Sequence, residues 1–326
     1  MVHTVPVRRM NDRCWCGSGK KLKRCHLDRA ALEVAGIELG TMSALRTVPE
    51  AIARPHYVTG GEPPRDRGPQ IQSAEGLERM RHAGMVAAEV LRASIDAVAP
   101  GVTSDQLDEI AHETYVAHGA YPSTLGYNGY PKSVCISVNE VICHGIPDDR
   151  PLREGDIVNI DVTAFIDGVH GDTSATVGVG EISEQARALI ETTRQATLAG
   201  IGAIRSGRPL HCIGAAIEEV ASDRGYGIVA EYGGHGIGEI FHAAPHVNHT
   251  YSRRDDSELL SGMTLTVEPM LTTGKGHFTT ADDDWTEILD DPMPSAQFEH
   301  TVMVTDDGTE ILTVCADGTS AVDAPR

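Results

Sequence analysis

Gly207 and Gly225 stand 106 residues after Gly101 and Gly119, and each pair of glycines closes two successive helical patterns. This interval limits the fold more than any other feature. A repeated order of helix, helix and strands buries its apolar faces most simply as two related halves around one core. In the first half, Ser73 is placed to cap a helix whose buried face is Leu77, Met80, Ala87, Ala88, Leu91, Ile95 and Val98. Thr103 to Gln106 has capping-box form ahead of Leu107, Ile110 and Ala111, and Gly119 sits where a left-handed terminator belongs. In the second half, Ala186, Leu189, Ile190, Thr193, Ile201 and Ile204 mark a long helix, and Ile213, Ala216, Ile217 and Val220 a shorter one. Strand-type runs follow each pair: 133–138 and 157–166, then 263–270 and 296–304. The expectation is an α+β domain of two pseudo-symmetric halves.

Acids lie where such strands should be apolar. Asp161 interrupts Ile157 to Thr163, where an unpaired carboxylate is costly. Asp167-Gly168 predicts a two-residue hairpin turn, which puts Asp172 opposite Thr163 and makes Asp161 and Asp172 diagonal neighbours on one sheet face. Glu268 ends another apolar run 107 residues after Asp161, and Glu299 is embedded in Ala296 to Val302. His235 is flanked by glycines in Gly233 to Gly238, which lets the backbone fold closely around an imidazole. Singly, each acid could be satisfied by backbone donors and the histidine could line a turn. Together, four carboxylates and one histidine form an oxygen-rich set able to hold two divalent cations about 3.5 Å apart.

The order Asp161, Asp172, His235, Glu268, Glu299 stands within the words IDVT, HGDTS, GGHGIG, FHAAP, VEPM and QFEHT. With LGYNGYPKSVCISVNEVICHGIP at 125–147, it closely resembles the type I methionine aminopeptidases from about residue 73 to 315. The resemblance implies the pita-bread fold. It also implies hydrolysis of the first peptide bond at a dinuclear metal centre, releasing the initiator methionine of nascent proteins when the second residue is small. On that resemblance Asp161, Asp172, His235, Glu268 and Glu299 are the ligands of two cobalt, manganese, iron or zinc ions. Glu268 is also the general base and then acid. His242 polarises the carbonyl, His144 contacts the scissile amide nitrogen, and Thr163 orients a ligand or the substrate amine. Tyr127, Tyr130, Cys135, Phe241, Met270 and Trp285 occupy the family's pocket positions for the flexible thioether. Thr124 precedes the Leu-Gly-Tyr word, where members carry cysteine or threonine.

The amino terminus reads differently. Cys14, Cys16, Cys25 and His26 surround a Gly-Ser-Gly turn and supply the four ligands of a closed structural zinc site. The pattern resembles the SEC-C zinc motif. Seven cysteines, three of them within 14–25, do not suggest a disulfide framework. Eight basic residues against Asp12 and Asp28 give residues 1–29 a charge of +6, whereas the whole chain carries −20. That asymmetry suggests ribosomal RNA, or a protein, as the module's partner. Five prolines crowd into 49–69, so the expected layout is a zinc module at 1–35, an extended linker at 36–72 and a catalytic domain at 73–326. No run approaches 18 apolar residues, and no secretory signal follows the opening MVHTVPVRRM. The expectation is a cytoplasmic monomer acting on peptides with an N-terminal methionine, without membrane contact.

Overall fold

The computed structural model describes residues 40–61, 68–281, 283–291, 293–320 and 322. The four helices among them are α1 (Ala74–Asp96), α2 (Ser104–Ala117), α3 (Glu184–Gly202) and α4 (Cys212–Arg224). Their ends follow local chemistry. The Ser73 hydroxyl accepts the Gly76 amide, and Thr103 with Gln106 closes a reciprocal capping box. Ser183 caps α3 in the manner of Ser73, and Gly225 ends α4 at φ +69, a conformation that favours a residue without Cβ. The α1 pattern is two residues shorter than expected, because the chain turns after Asp96 and leaves Val98 packed beside the core from outside the helix.

In the first half the strands are β1 (Tyr121–Pro122), β2 (Cys135–Val138), β3 (Val141–Cys143), β4 (Ile157–Ile166) and β5 (Val169–Gly178). The second half begins with β6 (Gly227–Ile228), β7 (Gly233–Gly236), β8 (Ala243–Asn248), β9 (Thr264–Val267) and β10 (Met270–Thr272). It ends with β11 (Phe278–Thr280), β12 (Glu287–Leu289), β13 (Ser295–Val304) and β14 (Thr309–Ile311). The run expected at 263–270 is interrupted at Glu268-Pro269, since proline has no N–H for a ladder. The large sheet runs β1-β4-β5-β13-β9-β7-β8, and β11-β12-β3 form a second. Strand β13 joins the halves: one edge pairs with β5, while β9 and β10 pair with it from the second half. One apolar cluster spans the join, with Val90, Leu91, Val158 and Ile160 from the first half and Ile213, Leu265 and Phe298 from the second.

Residues 40–61 lie along the first half, with one 3-10 turn at His56–Thr59. They are held by buried charge. Arg46 Nε donates to Asp108 Oδ2 at 2.8 Å, and Asp108 Oδ1 accepts the Ser133 amide at 2.7 Å. The fully buried Lys132 ammonium donates to Ser43 Oγ at 2.7 Å and Asp105 Oδ1 at 2.5 Å. A buried cation so paired is strongly destabilised if one partner is removed. Farther along the arm, Tyr57 is buried and its hydroxyl donates to the Ser123 carbonyl at 2.6 Å.

Candidate metal centre

Sheet register assembles the site. The β4–β5 hairpin turns at Asp167-Gly168, so Thr163 stands opposite Asp172 and Asp161 opposite Ser174. Ser174 is in turn opposite Glu299 on β13. Directly opposed residues project to the same face, so Asp161, Ser174 and Glu299 form a row across three strands, with Asp172 two residues along on that face. From the second half, β9 continues into Glu268, and β7 brings His235 beside Thr266, whose hydroxyl accepts the His235 amide at 3.0 Å. Ligand atoms of Asp172, His235 and Glu299 lie within 4.8 Å of one another. His235 Nε2 is 3.7 Å from Asp172 Oδ2 and 3.6 Å from Glu268 Oε1. Asp161 stands in the row beyond that triplet, and Asp161 and Glu268 are the two acids that keep some exposure.

Burial of several carboxylates together sets their electrostatics. Asp161 is pushed up to about 7 by burial. Glu268 rises to about 8, first from burial and then from the Asp161 charge, against the Thr266 hydroxyl, which donates to its Oε1 at 2.6 Å. Asp172 and Glu299 are held well above the carboxylate range by burial and by the neighbouring acids. Burial lowers His235 to about 4, keeping its ring neutral. Its Nδ1 lies 3.1 Å from the Gly236 carbonyl, so that nitrogen carries the proton and Nε2 offers a lone pair toward the acids.

Two groups of rings border the acids. Tyr130 meets Trp285 edge-on at 5.0 Å, and His144 stands 6.1 Å from Trp285 and 5.4 Å from Tyr232. His144 has φ +55, a strained conformation for a residue with Cβ, and burial lowers it to about 4. In the other group Tyr127 contacts Phe241 and His242, and its hydroxyl lies 2.9 Å from His242 Nδ1. Cys135 stands opposite Asp161 on β2, and Met270 is buried among Ile142, Val229 and Leu289. Thr163 Oγ1 donates to Asp172 Oδ1 at 2.8 Å, and Thr124 Oγ1 to the Lys132 carbonyl at 3.1 Å. Cys14, Cys16, Cys25 and His26 lie outside the described residues.

Several supporting residues escaped the sequence reading. Gln297 Nε2 donates to Glu268 Oε2 at 3.3 Å, and Thr301 Oγ1 donates to the Asp172 carbonyl while accepting its amide. Alternation signals both, because Gln297, Glu299 and Thr301 share one face of β13. His249 Nε2 accepts the amides of Gly234 at 3.3 Å and Glu268 at 3.2 Å, tying β7 to the end of β9. Nothing local in His246 to Thr250 announces that role.

Residues 78–306 match metallopeptidase family M24, and residues 10–28 match the SEC-C motif. The chain is 50% identical over 276 residues to methionine aminopeptidase 2 of Mycobacterium tuberculosis, covering 84% of this chain and 96% of that one. The chain belongs to the methionine aminopeptidases of family M24. Methionine aminopeptidase 1D of Arabidopsis thaliana, chloroplastic and mitochondrial, is 45% identical, with 85% of this chain and 79% of that protein covered. The methionine aminopeptidase crystal structure from Rickettsia prowazekii superposes at a TM-score of 0.74 with 43% identity, covering 76% of this chain and all of that one. The two-halved architecture is the pita-bread fold.

Membership in a metallopeptidase family implies divalent metal ions, and the residues fit them. Glu299 Oε1 is buried without a hydrogen-bond partner among the described residues, beside a neutral imidazole lone pair and other raised carboxyls. Such a set lacks positive charge, and divalent cations supply it. No helix among the described residues is long and apolar enough to cross a membrane.

Proposed function

We propose that the chain removes the N-terminal methionine of peptides and nascent proteins by hydrolysing the first peptide bond when the second residue is small. The observation that carries this reading is the convergence of buried acids and one neutral histidine from both halves, within a chain half identical to a named methionine aminopeptidase. Asp161, Asp172, His235, Glu268 and Glu299 hold two divalent ions, of cobalt, manganese, iron or zinc. When bound, these ions supply Lewis acidity, lowering the pKa of water and stabilising the developing oxyanion.

The chain's own groups do the rest. Glu268, steadied by Thr266 at one oxygen and Gln297 at the other, takes the proton of the attacking water and returns it to the leaving amine nitrogen. The Tyr127 hydroxyl donates to His242 Nδ1, leaving Nε2–H to donate to the scissile carbonyl oxygen. Neutral His144 contacts the scissile amide nitrogen. Thr163 orients Asp172 by its hydrogen bond. Tyr127, Tyr130, Cys135, Phe241, Met270 and Trp285 shape an apolar slot for methionine, to which a flexible thioether adapts.

Residues 1–35 form a zinc module through Cys14, Cys16, Cys25 and His26, a reading supported by the SEC-C match. Residues 36–72 link it to the catalytic domain at 73–326. Its +6 charge suits ribosomal RNA or an acidic protein surface, in keeping with cytoplasmic work on emerging chains. The test is hydrolysis of Met-Ala-Ser, Ala-Pro and Ala-Ala peptides with added manganese or cobalt. Methionine release from the first alone is expected; cleavage of Ala-Pro alone would make the chain an X-Pro peptidase.

A further inference from the structure

A cavity of about 170 Å³ lies beside His242 and is partly open to solvent. The arm supplies Pro55, His56 and Tyr57 to its lining, and Phe165, His170 and Ile240 complete it, with the Tyr57 and His170 rings stacked at 6.3 Å. Tyr127 and Phe241, already placed at the methionine slot, also border this space. The arm wall is braced. Tyr57 packs edge-on against Tyr127 at 5.0 Å, and its hydroxyl is held by the Ser123 carbonyl.

A second observation points to an occupant. His170 is 2% exposed, its ring stacks on Phe241 at 5.2 Å, and its Nδ1 is taken up by Ser123 Oγ at 2.8 Å. Its Nε2 has no hydrogen-bond partner among the described residues, although the ring lines the cavity. That nitrogen opens onto the cavity, where a ligand or water can meet it. Glu239, which pairs with Arg79 at 3.2 Å, adds a charge to the lining.

We propose that this cavity is a subsite for the third residue of the substrate peptide, taking a large apolar or aromatic side chain against Pro55, His56, Phe165 and Ile240, with His170 Nε2 hydrogen-bonded to the peptide main chain. The inference rests on the aminopeptidase reading, which puts the scissile carbonyl at His242. An extended peptide advances about 3.3 Å per residue and its side chains alternate. The second side chain, which must be small, therefore points away, and the third returns to the side of the methionine slot, about 7 Å farther on. Tyr127 and Phe241 border both places, as that geometry requires. The arm is thus part of the substrate site as well as a tether.

The test compares kcat/KM of the full-length manganese-loaded enzyme on Met-Ala-Phe-Ser and Met-Ala-Gly-Ser. The phenylalanine peptide should be favoured about tenfold, mainly through KM, as expected for a phenyl group entering a half-open apolar pocket. His56→Ala opens the arm wall and Ile240→Trp fills the cavity; each should bring the ratio close to one. Circular dichroism checks that both fold, and the exposed His56 carries the test if the tryptophan variant does not. Equal rates on the two peptides in the unmodified enzyme, or a preference that survives in the folded variants, would overturn the subsite alone. No methionine release from either peptide would remove the aminopeptidase reading and the subsite with it.

Discussion

The two halves bring acids to the same centre by different backbone means. The first half uses a regular hairpin of two ten-residue strands in which side chains stand in register and Asp161 and Asp172 arrive by alternation. The second half uses short strands that pass close to one another. A Cβ at Gly234 would run into the Thr266 carbonyl, and one at Gly236 into the Ala244 carbonyl. Glu268 lies one residue past the end of its strand, held by His249 and Gln297 rather than by a ladder. A regular sheet tolerates side-chain change so long as the face is kept, except at Gly171, where a Cβ would meet the Ala83 and Gly84 backbone of α1. A close backbone approach around His235 tolerates almost none.

The sharpest way to test that contrast begins in the first half with Asp172→Asn. It removes a charge needed by the cations while preserving shape, and activity should fall at least about 100-fold. The metal-free protein should melt at an equal or higher temperature, because a carboxyl held far above its ordinary pKa by burial and by neighbouring acids is relieved. Unchanged turnover under saturating manganese would mean that Asp172 is no ligand.

A smaller effect should come from substituting the backbone environment. Gly234→Ala must displace the Thr266 carbonyl and should cost about 1–3 kcal/mol with a matching loss of metal affinity. Ser174→Ala, between Asp161 and Glu299 in the regular half, removes a hydroxyl that has no partner among the described residues and should cost under about 0.5 kcal/mol. Equal melting shifts for the two would erase the distinction between the halves.

The remaining effect is in pH. Asp161 at about 7 and Glu268 at about 8 are raised above their unfolded values near 4, so the stability of the metal-free fold declines as pH rises from about 4 and levels off above about 8. Metal binding requires both ionised. The melting shift produced by a fixed manganese concentration should therefore grow from pH 6 to pH 8, by up to about 1.4 kcal/mol per pH unit for each proton released. A shift independent of pH would show that these two carboxyls do not meet the ion.

Much of this molecule is legible in its sequence, because the information is local. Ser73, Thr103 and Gln106 cap helices through groups within three residues, and Asp167-Gly168 sets the register that fixes Thr163 against Asp172. Alternation then dictates the face on which Asp161 and Asp172 must appear. The repeat spacing carried the two-halved plan, since equivalent glycines and acids recur at nearly one interval.

Tertiary structure alone decided what lies between distant segments. That β13 would unite the halves depends on pairing with β5 and β9, more than a hundred and some thirty residues away, and no local rule selects those partners. That His249 would tie Gly234 to Glu268, and that the arm would set Tyr57 against Tyr127, likewise depends on packing. Capping, turns and alternation are written in neighbouring residues. Which surfaces meet is settled only when the whole chain buries its apolar faces and pairs its buried charges at once.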